Sequence, residues 1–284
     1  MISIACGVRF CVVGCGNGLR LCFAQGGDQM IQMVITDLDG TLLRSGKFIS
    51  AYSISVLKEC QRKGIKVAFA TARSTQASAA FLAQFAPDVF VGYGGALVMA
   101  GEKVIHRFDI SDDVSAQIIK ECLATPEILS VLAINESVAL SNRLDVLASE
   151  GLSHYRYDDF SQPCHNRYLK ISVNATSQDA VETIAAQYPM CDMLRYTGEN
   201  LYRFANKDAL KWNAIQAVAA YYQFNADSFV AFGDDVNDVE MVQNCGIGVA
   251  VANAIDEVKV VSNHICASND EDGVAKWLEE HLLL

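Results

Sequence analysis

The chain has 284 residues, 51% of them apolar, which is enough for one large domain or two modest ones with a real core. It carries 22 Lys and Arg against 33 Asp and Glu, a formal net charge of -11, which argues against nucleic acid or anionic membrane as a partner over most of the surface. No window approaches ~20 uninterrupted apolar residues, so no membrane span is expected.

The first 32 residues differ from the rest. They are rich in Gly and Cys, with Cys6, Cys11, Cys15 and Cys22, and they lack clean periodicity. Val12-Val13-Gly14-Cys15 faintly resembles a lipoprotein processing site, but the preceding stretch is short and has no basic start, as a signal peptide would. Gly14-Cys15-Gly16-Asn17-Gly18 echoes a nucleotide loop without the strand and helix such a loop needs. Residues 1–32 are therefore read as an atypical extension, with the fold beginning near Met30 or Met33. The remaining cysteines, Cys60, Cys122, Cys164, Cys191, Cys245 and Cys266, are scattered singly in apolar company, and no CxxC pair occurs. They read as small buried side chains in a reducing compartment, and the protein as cytoplasmic, with no structural zinc site.

From Met33 the pattern is regular. Met33 to Thr36 is a short apolar run that ends in Asp37-Leu38-Asp39-Gly40-Thr41. Ser50 to Lys63 reads as an amphipathic helix stopped by Gly64. Ile65 to Ala70 is a second strand, ending in Thr71-Ala72-Arg73, and Thr75 to Phe85 a second helix, closed by Pro87. Val89 to Val91 is a third strand, followed by Gly92-Tyr93-Gly94-Gly95.

The texture changes between Ala96 and Phe204. Strand-like runs (Lys103 to Phe108, Val131 to Ile134, Tyr168 to Val173, Leu201 to Phe204) alternate with helices at Asp113 to Leu123 and Ser177 to Gln187. Residues 96–204 are read as an α+β module inserted into the first pattern, which then resumes over 205–284. Lys211 to Tyr222 is helical, and Phe229 to Phe232 is a strand leading into Gly233-Asp234-Asp235-Val236-Asn237-Asp238. Ile247 to Val251 and His264 to Ala267 add two more strands. Helices alternating with buried strands predict an α/β core, a doubly wound parallel sheet of Rossmann-like type, formed by 33–95 and 205–284.

Three apolar strands thus end in polar clusters: Asp37/Asp39, Thr71/Arg73 and Asp234/Asn237/Asp238. In a parallel sheet the carboxyl ends share one edge, where open α/β sheets bind ligands. Any one cluster alone reads equally well as a turn or a helix cap. All three at successive strand ends make a carboxylate-rich crevice. Its acids repel one another, so a bound cation is the natural compensation, and an all-oxygen site suits magnesium. A phosphorylated substrate would then meet a local cationic site on an acidic protein.

These residues resemble the haloacid dehalogenase superfamily. Asp37-Leu38-Asp39-Gly40-Thr41-Leu42-Leu43 is similar to its nucleophile motif and Thr71-Ala72-Arg73 to its second, while Lys211 fits the third. Gly233 to Asp238 is similar to the fourth motif of the branch with a large inserted cap, the Cof-like phosphatases. The resemblance spans about Met33 to Leu284. It implies a Mg2+-dependent phosphoric monoester hydrolase with Asp37 as covalent nucleophile and Asp39 as general acid and base. It implies that Asp37, the Asp39 backbone carbonyl and Asp234 hold the metal, and that Asp238 supports it. It further implies that Gly40, Thr71, Arg73, Lys211 and Asn237 contact phosphate or substrate, and that 96–204 is the cap that sets specificity. Where similar proteins often carry Asn-Gly-Ala, this chain has Gly94-Gly95-Ala96, which leaves one local substrate contact open. Lys207 reads as a solvated loop charge, four residues too early for the third motif. Asn135, Arg143, His154 and Arg167 are candidate cap contacts. The expected partner is a small phosphorylated metabolite, such as a sugar phosphate. The competing readings are a phosphotransferase or phosphosugar mutase of the same superfamily, and a non-catalytic binding protein on a retained fold.

Overall fold

The computed structural model describes residues 11–14, 19–22, 28–143, 156–162, 166–196 and 200–284. Near the N-terminus, β1 (Cys11–Gly14), β2 (Leu19–Cys22) and β3 (Asp28–Met30) form a small antiparallel sheet, which the sequence reading did not foresee in this Gly-rich stretch. Cys6, Cys15 and most of the loop around Cys15 lie outside the described residues, as do Cys164 and His154. Among the described residues Cys60, Cys122, Cys191, Cys245 and Cys266 are free thiols.

The large sheet begins with β4 (Met33–Thr36), β5 (Lys66–Ala70), β6 (Val89–Gly92), β7 (Leu97–Ala100) and β8 (Lys103–Arg107). A second sheet follows: β9 (Ile128–Ile134), β10 (Ala139–Ser141), β11 (Arg156–Tyr157), β12 (Lys170–Ala175), β13 (Cys191–Arg195) and β14 (Leu201–Asn206). The chain then returns to the large sheet with β15 (Phe229–Gly233), β16 (Ile247–Val251) and β17 (His264–Cys266). The large sheet has the order β17-β16-β15-β4-β5-β6-β7-β8 and is parallel from β17 to β6.

Strands of a parallel sheet covered on both faces are almost continuously apolar, and β4 is buried throughout, Thr36 included. Val34 faces one way, with Val67, Phe69, Phe232 and Leu57 of the helix Ala51–Arg62. Met33 and Ile35 face the other way, against Ala214, Ile215 and Val218 of the helix Lys211–Tyr222. Ser50 caps the first of these helices by accepting from the Ser53 amide at 3.0 Å.

The hairpin Leu97–Arg107, assigned from sequence to the inserted module, instead extends the large sheet: β7 pairs antiparallel with β6, and β8 with β7. Period-two patterning marks a strand but not its sheet, which is decided by non-local hydrogen bonds. The second sheet has the order β11-β10-β9-β12-β14-β13. Its outer face packs Tyr202, Phe204 and Ile171 on Ile118, Ile119, Val181 and Ile184 of the helices Asp112–Ala124 and Gln178–Ala185. Its other face meets the large sheet through an apolar junction in which Tyr93 and Leu97 pack with Ile134, Leu169 and Ala205. Among the described residues, no helix is long and apolar enough to cross a membrane.

Candidate active site

β15, β4 and β5 are neighbours, so Asp234, Asp37 and Thr71 leave the sheet side by side at its carboxyl edge. The Asp37 amide donates to the Phe232 carbonyl at 3.0 Å and the Thr71 amide to that of Val91 at 2.8 Å, which carries the pairing one residue past the strands. The chain then turns through Gly40, whose φ of +81° falls in the region that favours glycine. A Cβ at Gly40 would lie 2.3 Å from Asp234 Oδ2, so the absent side chain is what admits the Asp234 carboxylate. Thr41 donates its hydroxyl to Asp234 Oδ1 at 2.6 Å and holds that carboxylate in place.

Lys211 is the first residue of the helix Lys211–Tyr222 and is only 4% exposed. Its Nζ donates to Asp37 Oδ1 at 2.7 Å and to Asp238 Oδ1 at 2.6 Å. Asp238 Oδ2 accepts from the amides of Asp234 at 3.0 Å and Asp235 at 3.2 Å. Lys207 is exposed, and its backbone amide donates to the Met190 carbonyl at 3.0 Å.

Asp37, Asp234 and Asp238 bring one carboxylate oxygen each to within 4.8 Å of one another. Three carboxylates around one ammonium leave negative charge uncompensated. Burial pushes the Asp37 carboxyl well above the usual range; Lys211 opposes this, while Asp238 and Asp234 add to it. Burial likewise raises Asp234 to about 6 against the pull of the Thr41 hydroxyl, with Asp238 adding to the rise. Burial would lower Lys211, but Asp238 and Asp37 outweigh it and hold the ammonium above the ordinary lysine range. A set of hard oxygen donors with excess negative charge fits a small divalent cation.

Asp39 stands apart from this cluster. Arg73 grips it with Nε at 2.5 Å and Nη2 at 2.7 Å, and Lys47 Nζ adds a contact at 2.7 Å. Burial would raise its carboxyl, but Arg73 and Lys47 outweigh it and hold it below the usual range.

A cavity of about 510 Å³ opens over these groups. Asp37, Asp39, Thr71, Arg73, Lys211, Asn237 and Asp238 line it from the large-sheet side, and Lys170, Tyr196 and Leu201 from the second sheet. Gly40 is not in the cavity wall; its carbonyl accepts from Asn253 Nδ2 at 2.7 Å. Asn237 lines the cavity, and Lys211 is held by Asp37 and Asp238.

Sequence reasoning overlooked Lys47, Lys170, Tyr196 and Leu201. Lys47 left a signal, as a cation eight residues after Asp39 in a polar loop. Lys170 left almost none, since a lysine opening a strand is usually solvated. Of the cap candidates, Asn135 accepts from the amides of Ser137 and Val138 at 2.9 and 2.8 Å and forms a turn. Arg143 and Arg167 are exposed and, like Asn135, do not line the cavity.

A family model for haloacid dehalogenase-like hydrolases matches residues 34–278. A 5-amino-6-(5-phospho-D-ribitylamino)uracil phosphatase of Bacillus subtilis is 24% identical over 274 residues, covering 89% of this chain and 98% of its own. A solved structure from Eubacterium rectale superposes with a TM-score of 0.80 at 23% identity, covering 88% of this chain and 98% of that one. The sugar phosphatase BT4131, of subclass IIB, does so with a TM-score of 0.75 at 19% identity, with the same coverage of both chains. At such identities the two structural likenesses speak for the fold.

Proposed function

This chain belongs to the haloacid dehalogenase-like hydrolase family and is a phosphatase, and we propose that it hydrolyses a small phosphorylated metabolite through an aspartyl phosphate on Asp37, with magnesium as cofactor. The observation that carries this reading is the Asp37 carboxylate, held by Lys211 at 2.7 Å on the wall of a cavity that Asp39 also lines.

In the first step an Asp37 oxygen attacks phosphorus, and the bond from phosphorus to the leaving oxygen breaks. Asp39, which Arg73 and Lys47 otherwise hold as a carboxylate, takes up a proton as these cations turn to the entering anionic ester, and gives it to that oxygen, so an alcohol departs. In the second step Asp39, now a carboxylate, takes a proton from water as the water attacks phosphorus. The bond to Asp37 breaks, which releases inorganic phosphate and restores the carboxylate. Lys211 and the Thr71 hydroxyl donate to the phosphoryl oxygens as charge builds on them. Arg73 and Asn237 contact the substrate, and Arg73 also orients Asp39. Asp37, the Asp39 carbonyl and Asp234 would hold magnesium, with Asp238 in support. The ion supplies positive charge that lets an anionic nucleophile approach an anionic ester.

The segment from Phe108 to Asn206 acts as the cap. Its sheet walls the cavity with Lys170, Tyr196 and Leu201, which favours a small substrate over a macromolecule. A phosphorylated ribityl compound, as in the named relative, or a sugar phosphate is of suitable size.

The test is phosphate release from 4-nitrophenyl phosphate and a metabolite panel. Chelator should remove activity, magnesium should restore it, and calcium should not, because its looser coordination spoils in-line geometry. Full activity in excess chelator would sink the metal assignment. A rearranged phosphosugar without free phosphate would point to a mutase instead.

A further inference from the structure

One cation of the cavity wall, Lys170, is matched by none of its carboxylates, and a second, Arg203, lies behind the wall on the same sheet face. Lys211 is paired with Asp37 and Asp238, and Arg73 and Lys47 are both paired with Asp39. Two cations of the second sheet have no acidic partner among the described residues. Lys170 lines the cavity, and its Nζ touches the Ala72 carbonyl at 3.4 Å. Arg203 is 3% exposed, its Nε has no hydrogen-bond partner, and its side chain forms no ion pair.

Their placement is specific. Ser172 of β12 lies opposite Arg203 of β14, so Lys170 is a diagonal neighbour of Arg203 on the same face. Leu201, two residues earlier on β14, also shares that face and lines the cavity. The guanidinium rests against Gly94, where a Cβ would lie 2.1 Å from Nη1. Gly94 has a φ of +73° and donates its amide to the Thr71 carbonyl at 3.0 Å, so this turn is tied to the phosphate end of the cavity. The bare glycine is what gives the arginine room.

A guanidinium is always charged, and burying it without an anion is costly. Among the described residues, no acidic side chain pairs with Arg203. Asp192 shares the same sheet face, opposite Ala205, and forms no ion pair with it. An anion from outside the chain would supply such a partner.

We infer that Lys170 and Arg203 form a subsite for a second anionic group, a carboxylate or a second phosphate, on the leaving group of the substrate. The preferred substrate is accordingly a phosphomonoester that carries a further negative charge. The inference rests on the proposed function, since the first phosphoryl group must sit at Asp37.

Matched pairs of competitors against 4-nitrophenyl phosphate hydrolysis in magnesium test it. One pair is 3-phosphoglycerate and glycerol 1-phosphate, which differ by a carboxylate in place of a hydroxymethyl group. The other is fructose 1,6-bisphosphate and fructose 1-phosphate, which differ by a phosphate. The anionic member of at least one pair should inhibit at least tenfold more tightly, and the pair that does so identifies the group. Arg203→Gln should bring that ratio close to one, and Lys170→Gln should lower it in part. Ratios near one in both pairs on the wild type would overturn the inference without any variant. So would an Arg203→Gln protein that weakens both members alike, as a purely structural arginine would. A wild type that releases no phosphate in magnesium overturns the proposed function and this inference with it; unit ratios on an active enzyme overturn the inference alone.

Discussion

Asp37 and Lys211 are a single electrostatic unit. Asp37→Asn keeps the shape and the Lys211 contact but removes the oxygen proposed as nucleophile, so turnover should vanish while the thermal unfolding curve stays cooperative. Wild-type rates in the folded variant would refute the mechanism. Lys211→Ala leaves Asp37 and Asp238 buried without their shared ammonium. Losing a preorganised charge beside the transferring group should lower kcat by roughly 10²–10³. Lys207 is exposed, so Lys207→Ala should change kcat only a few-fold. Both variants on one substrate give the comparison, and a reversed ranking would reassign the lysine.

Asp234 also makes stability depend on pH. Its folded pKa is raised from 3.8 to about 6, so between these values the folded state holds a proton that the unfolded chain has released. Its contribution is complete below about pH 4 and is lost as pH rises through about 6, a span of up to about 3 kcal/mol. Asp39, Asp88 and Asp272 are lowered and act in the opposite sense. The clean readout is therefore the difference in unfolding free energy between wild type and Asp234→Asn in chelator. That difference should move against the wild type from pH 4 to 7. Magnesium needs the ionised carboxylates, so the rise in Tm on adding it should grow over the same window.

At the scale of the element, the loop after β4 works because two requirements meet at Gly40. The turn needs a positive φ, and the Asp234 carboxylate needs the space that a side chain would fill. Gly40→Ala should cost about 1–3 kcal/mol in strain and should weaken magnesium more than it weakens the fold. A titration of activity against magnesium would show a raised half-saturation with a modest fall in Tm. An unchanged magnesium curve would mean that the loop can move aside. Asn253 holds the Gly40 carbonyl, and Asn269 donates to that of Leu43 at 2.8 Å. The loop is thus braced from the C-terminal part of the large sheet.

At the scale of the whole molecule, the groups proposed for chemistry and for selectivity lie on different sheets. The carboxylates and Lys211 come from segments flanking the large sheet, while Lys170, Tyr196 and Leu201 come from the second. Exchanging Phe108–Asn206 for the matching segment of a relative should therefore move substrate preference and leave Asp37-dependent turnover of 4-nitrophenyl phosphate in place. A well-folded chimera with unchanged preference would separate this segment from specificity. The exchange should begin after Arg107, because a cut at Ala96 would remove β7 and β8 from the large sheet.

The sequence by itself determined the local elements and the chemical inventory. Apolar runs and polar strand ends are properties of adjacent residues, so the helix Lys211–Tyr222, the strand Ile247–Val251 and the clusters at Asp37, Thr71 and Asp234 could be read directly. Only the tertiary structure decided what comes together across long separations. It assigned the hairpin Leu97–Arg107 to the large sheet, clamped Asp39 with Arg73 and Lys47, and bound Lys211 to Asp238. It also set Arg203 against Gly94, 109 positions away in the chain, on a face whose burial no local pattern reveals. The physical reason is one of range: periodicity and turn chemistry act over a few residues, whereas charge pairing, desolvation and sheet membership depend on the neighbours that folding supplies.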